Sequence, residues 1–189
     1  HFYGIDLYRL SNKEQNDAPM HAYQYIDFNY NKFITTFKEK LNHKPWTILH
    51  IPSKTQTKGT NIINRTINDL HLDSHSVSIS EKQKSIFYID QFWPQGCGGY
   101  GVSTLESLFT SNFTFSTINN ITDSMFKLTG KYECPVVPLG TTEEELLNTL
   151  NHFIKSITED DLIGYMEGIG KWLEECYSVK SVIKFFKSI

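Results

Sequence analysis

Residues 85–101, Ser-Ile-Phe-Tyr-Ile-Asp-Gln-Phe-Trp-Pro-Gln-Gly-Cys-Gly-Gly-Tyr-Gly, join a short apolar run to a glycine-rich turn that carries a cysteine. Ser85 to Asp90 reads as a β-strand, because aromatic and β-branched residues fill a run bounded by polar ones. Upstream, Glu81 to Lys84 is a polar turn and Ser76-Val-Ser-Ile-Ser80 alternates small polar and apolar residues, so the expectation is a β-hairpin. In that hairpin His75 opens the first strand and Asp90 closes the second, and antiparallel pairing would bring both to one edge of the sheet. Downstream, Val102, Leu105, Leu108 and Phe109 recur at helical spacing, which predicts a helix from near Cys97 to about Thr110.

Other elements follow from the same periodicities. Phe33, Phe37 and Leu41 fall at steps of four in the stretch from Asn29 to Leu41, the pattern of a helix with one buried face. Trp46 to Ile51 is short, apolar and closed by Pro52, so it reads as a strand. Ser53 to Ser74 reads as an exposed polar loop, with a short strand at Asn61 to Ile67. Asn112 to Leu139 reads as irregular and β, broken by Pro135 and Pro138. Thr142 with Glu145, and Thr158 with Asp161, mark helix starts, and Leu162, Met166, Ile169, Leu173 and Cys176 form an apolar stripe. The expected architecture is α+β: a central, mostly antiparallel sheet with helices on its faces over 1–140, and a helical C-terminal part over 141–189 packed on that core.

Composition narrows the function. The chain has 189 residues, 39% hydrophobic and 21% charged, which suits a folded domain rather than a disordered one. A net charge of -3 supplies no field that would draw it to nucleic acid, so no nucleic-acid partner is expected. Three cysteines, Cys97, Cys134 and Cys176, are too scattered for a disulfide scaffold, and no pair has the spacing of a zinc site. No metal and no cofactor are expected. With no apolar run of membrane length and no signal-peptide pattern from His1 to Leu10, the expected location is a cytoplasm.

The chemistry gathers around Cys97. A thiol becomes a nucleophile when it ionises, and a helix N-terminus or an adjacent imidazolium favours the thiolate. The glycines at 96, 98, 99 and 101 would let backbone amides approach a substrate carbonyl as an oxyanion hole requires. His75 beside Asp90 would be held in one tautomer and could act as base.

In this order the sequence resembles the clan of the Ulp/SENP proteases, the adenovirus protease and related bacterial effectors, including YopJ-type acetyltransferases. Members of that clan read helix, strand, His opening a strand, acid closing the next, Gln, then Cys-Gly on a helix. Here the matching features are Phe33 to Leu41, Trp46 to Ile51, His75, Asp90, Gln91 and Cys97-Gly98. The resemblance implies a papain/Ulp-like fold and a cysteine protease that removes ubiquitin or a ubiquitin-like protein from conjugates, as a pathogen effector secreted into a host cytosol would. It assigns Cys97 as nucleophile, His75 as base, Asp90 as its orienter and Gln91 as oxyanion donor, with Gln95 as rival donor. The chain departs from the clan at Ser76, where a Trp is usual, and in the adjacency of Asp90 and Gln91. If the hairpin is misread, His43 or His50 becomes the base, with Asn64 or Asp73 as orienter.

Two alternatives stand beside the protease. A YopJ-like acyltransferase would need a basic pocket for the phosphates of an acyl-CoA donor, for which Lys54, Lys58 and Arg65 are the candidates. A non-catalytic binding module would use its C-terminal helices to grip a partner. Trp46 and Trp93 would wall a narrow channel for a Gly-Gly tail, or else belong to the core. The amphipathic segment Tyr177 to Ile189 is read as packing back on the domain in preference to membrane docking, since Lys180, Lys184 and Lys187 supply only about 1 kcal/mol each of membrane attraction.

Overall fold

The structure, a computed structural model, describes residues 28–52, 58–71, 83–93, 102–118 and 136–177. The first element is α1, Tyr30–Leu41, whose N-cap Asn29 accepts a hydrogen bond from the Lys32 amide at 2.9 Å. The predicted stripe is the buried one: Phe33, Phe37 and Leu41 all lie in the core. Strand β1, Ile48–Leu49, is shorter than the predicted strand, and Trp46 before it donates its indole N–H to the Leu41 carbonyl at 3.1 Å.

Between β1 and the next strand comes α2, Thr60–Asp69. The strand expected at Asn61 to Ile67 is therefore helix. Its polar, β-branched sequence is a poor helix former in isolation, and burial of Ile63, Thr66 and Ile67 along one face stabilises it instead. Strand β2, Phe87–Ile89, follows, then α3, Val102–Phe109, β3, Phe113–Ser116, and β4, Val137–Pro138. Helix α4, Glu143–Asn151, begins with the predicted capping box: Thr142 accepts from the Glu145 amide while the Glu145 carboxylate accepts from the Thr142 amide. A π-helical turn, His152–Ser156, leads to α5, Glu159–Tyr177, whose first turn Thr158 caps through the Asp161 amide.

The four strands form one sheet in the order β1-β2-β3-β4, and every pairing is parallel. The predicted antiparallel sheet is overturned, and with it the hairpin. Strand β2 is interior, with β1 on one side and β3 on the other, so neither edge is left for a partner at Ser76 to Ser80, residues outside the described set. Full burial of Phe87, Tyr88 and Ile89 gives the reason: a strand covered on both faces shows a continuous apolar run, not alternation.

The two faces of the sheet differ. Phe87, Phe113 and Phe115 point to one side, where their rings pack on each other and those of Phe113 and Phe115 on Phe153. Burying each such ring contributes about 1.5–3 kcal/mol. Helices α1 and α5 pack closely together, and a Cβ placed on Gly170 would come within 2.9 Å of the Tyr30 ring. The other side carries polar groups that meet α3: the Tyr88 hydroxyl bonds Ser103 Oγ at 2.5 Å, and Ser107 Oγ bonds Thr114 Oγ1 at 3.0 Å. Leu146, Leu150, Leu162, Met166 and Leu173 join the same apolar cluster as the sheet residues.

Candidate functional site

In a parallel sheet all strands end on the same edge, and here that edge collects the polar residues. Asp90 follows β2 and His50 follows β1, and both are buried. Lys58, Gly59 and Thr60 lie at the start of α2. Gly59 sits at the N-cap with φ +66°, a left-handed conformation that a side chain disfavours, and a Cβ there would lie 2.0 Å from the Phe92 carbonyl oxygen. The Phe92 amide in turn donates to the Lys58 carbonyl at 3.0 Å. The residues after β2 are thus fastened to the start of α2.

Asp90 is held from two sides. Lys58 Nζ donates to one carboxylate oxygen at 2.8 Å, and Thr104 Oγ1, in the first turn of α3, donates to the other at 2.8 Å. The Lys58 side chain keeps 16% exposure against 1% for Asp90, so water reaches the lysine end of the pair. His50 is fixed as well. Its Nδ1 lies 2.9 Å from the Ile89 carbonyl oxygen, which only accepts, so Nδ1 carries the proton. Its Nε2 then accepts from the Thr60 hydroxyl at 3.0 Å. Burial lowers the His50 pKa, and the bond to Ile89 and the charge of Asp90 offset this only in part, so the ring is neutral at pH 7. The arrangement polarises the Thr60 hydroxyl at the start of a helix whose N-cap has no side-chain cap and whose first turn has no acidic residue.

The predicted site residues fare unequally. Cys97, His75, Gln95, Lys54, Asp73 and Cys134 lie outside the described residues, as does the side chain of Cys176. Asp90 is at the sheet edge with Lys58 and Thr104 as its partners, and Gln91, next in the chain, accepts from the Thr117 amide through its carbonyl. His43 is exposed in the turn after α1, and Asn64 is exposed on α2, so neither joins His50. Arg65 pairs with Glu143 on the surface, away from Lys58. Trp46 precedes β1 while Trp93 follows β2, so they stand at opposite ends of the sheet and wall no common channel. His50 with Thr60, and Lys58 with Asp90, form the cluster that the hairpin reading missed. The signal available was the apolar run from Ile86 to Ile89 ending in Asp90, together with Lys58-Gly59-Thr60 before a helix.

Among the described residues no group of three or more His, Cys, Asp or Glu could hold a metal ion, and no helix is long and apolar enough to cross a membrane. Compared with family models, curated proteins and solved structures, the chain matches none.

Proposed function

We propose that this protein binds a phosphoryl ligand of the nucleotide type at the C-terminal edge of its parallel sheet, where α2 begins. The observation that carries the reading is the start of α2 at Lys58, Gly59 and Thr60, on the edge where β1 ends. The left-handed glycine opens the helix, whose first amides and dipole favour an anion. Lys58 adds a positive charge, Thr60 a hydroxyl, and Asp90 stands at the end of the adjacent strand. These residues lie outside the carboxyl ends of the strands, the side on which open parallel sheets bind ligands, while the order β1-β2-β3-β4 contains no reversal and so no switch-point crevice. The order Lys-Gly-Thr differs from the Gly-Lys-Thr or Gly-Lys-Ser ending of the P-loop. Local geometry and charge therefore carry the reading, not a motif match.

The test is calorimetric titration of the full chain with ATP, GTP and tripolyphosphate. Lys58→Met should weaken all three by about ten-fold or more, since it removes a charge-assisted hydrogen bond. Wild-type and mutant binding of equal strength would end this reading.

A second reading keeps Cys97 as the nucleophile of an isopeptidase acting on a ubiquitin-like protein, or of an acyltransferase. It is supported by His50 at the end of β1, on the edge where Asp90 ends β2; His50 would replace His75 as base, and Cys97 itself lies outside the described residues. It stands second because the parallel sheet departs from the antiparallel one that the resemblance implies. A ubiquitin or SUMO probe with a C-terminal electrophile should label wild type and not Cys97→Ala, whereas acetyl-CoA alone should modify an acyltransferase. The absence of both labels removes this reading.

A further inference from the structure

We infer that a second copy of this chain packs against α5, its own α5 running antiparallel along the groove between α5, the π-helical turn and β4. Among the described residues the groove shares none with the edge that holds Lys58 and Asp90, so it stands apart from the phosphate reading. Its volume is about 1100 Å³. One wall is α5 from Asp160 to Glu175, the other is the π-helical turn with Phe153, and Val137 and Pro138 of the edge strand β4 lie between them. Helix α5 admits close approach there. Gly164 and Gly168, one helical turn apart, fall on the groove side, both are exposed, and a Cβ added to either meets nothing within 4 Å. Glycine is a poor helix former, and packing within the protomer asks for it at neither position, unlike Gly170, against which the Tyr30 ring packs. Beside them Tyr165 is 50% exposed, its ring edge-on to Phe113 and Phe153.

Charge selects the occupant. On the groove side α5 carries Asp160 and Asp161 in its first turn, and Lys171 and Glu175 toward its end. The Asp161 carboxylate accepts from the Thr158 hydroxyl, while among the described residues Lys171 has no ion-pair partner in its own protomer. An antiparallel pairing that sets Gly164 opposite the second copy's Gly168 also sets Asp161, three residues before the first glycine, opposite the second copy's Lys171, three residues after the second. Two-fold symmetry repeats the pair at the other end. Glu175 then comes to the end of the second copy's π-helical turn, which carries Lys155. The antiparallel arrangement also places the negative end of each helix beside the positive end of the other. One register therefore matches bare backbone to bare backbone and acid to base at once, a self-complementarity that a foreign helix would not require.

The experiment is sedimentation velocity on the full chain from about 1 to about 200 µM, a range that brackets a micromolar interface. Wild type should pass from monomer to dimer. Gly168→Gln puts a good helix former into the groove, where its Cβ touches nothing in its own protomer, and should weaken self-association about ten-fold or more. Lys171→Glu and Asp161→Lys should each weaken it by about ten-fold or more through like charges. Mixed together, those two variants should pair as tightly as wild type, because the mixed dimer has opposite charges at both ends. A dimer that Gly168→Gln leaves intact, or charge variants that pair no better mixed than alone, would overturn the inference. So would a wild type monomeric at every concentration, which would leave the groove to a partner other than a second copy.

Discussion

Each end of the sheet is closed by a lysine reaching in from a neighbouring element, and the two lysines meet different partners. At the N-terminal end Lys40, on α1 and 5% exposed, donates to the Thr110 carbonyl at 2.5 Å, the Ser111 carbonyl at 3.4 Å and Asn112 Oδ1 at 2.7 Å. Those acceptors are uncharged, and they are knitted further into the fold: Asn112 Nδ2 donates to Ser85 Oγ, and Ser111 Oγ donates to the Phe33 carbonyl. At the C-terminal end Lys58 meets the carboxylate of Asp90 and keeps contact with water. Burial lowers the Lys40 pKa to about 7, because its positive charge is held in a poorly solvated site. The difference separates a clasp from a latch. Lys40 fixes backbone acceptors in place, whereas Lys58 is held by one charge that a ligand's charge could replace.

The latch depends on the turn that presents it, so the largest expected effect is at Gly59. Gly59→Ala would place a Cβ against the Phe92 carbonyl and force a side chain into the left-handed region. Strain and overpacking together should cost about 3 kcal/mol, read as a lower urea midpoint. Gly164→Ala, on α5 where an added Cβ meets nothing within 4 Å, should instead raise stability by roughly 0.5–1 kcal/mol. A Gly59→Ala protein as stable as wild type would mean that the turn is not the constrained feature of this edge.

The contrast between the ends also marks what could be read from the sequence. Helix α1 was legible because Phe33, Phe37 and Leu41 repeat at the helical period and Asn29 caps it, so local pattern and tertiary burial agree. The capping box at Thr142 was legible because its hydrogen bonds lie within four residues. Helix α2 was not: Thr60 to Asp69 is rich in Thr, Asn and Ile, and its stability comes from a face buried by residues distant in sequence. The hairpin failed for a related reason. An apolar run such as Phe87 to Ile89 fits an antiparallel strand or an interior parallel one, and only β1 and β3 decide which. At the site, Asp90 was found because it ends a strand. Its partner Lys58, 32 positions earlier, had no local signal linking it to Asp90, and was singled out only as one of three basic candidates for a phosphate pocket.

The clasp should announce itself through pH. An unfolded lysine titrates near 10.5 and Lys40 in the fold near 7, so between those values the unfolded chain holds a proton that the folded chain lacks. Stability must therefore rise with pH across that window, fall as pH drops toward 7, and level off below it. The slope should approach about 1.4 kcal/mol per pH unit. Urea unfolding of wild type and Lys40→Met at pH 7, 8 and 9 isolates the contribution, because the stability difference between them should grow with pH in favour of wild type. A difference independent of pH would show that Lys40 keeps its proton in the fold, and the distinction drawn between the two lysines would fail.

The smallest expected loss of stability is at the latch itself, and it is also the most informative for function. Asp90→Asn keeps the shape of the side chain, and its amide oxygen can still accept from Lys58 while its NH2 group donates to the Thr104 hydroxyl. The lost charge should cost about 1 kcal/mol, since the lysine end of the pair is solvated. Affinity for tripolyphosphate should nonetheless rise, because the anion that competes for Lys58 has been neutralised while the turn at Gly59 is untouched. The thiol-enzyme reading expects the opposite sign from the same variant. There Asp90 stabilises an imidazolium, so Asp90→Asn should slow labelling of Cys97 by the ubiquitin-type probe and leave polyphosphate binding alone. One protein preparation and two titrations therefore decide whether this carboxylate guards a lysine or serves a histidine.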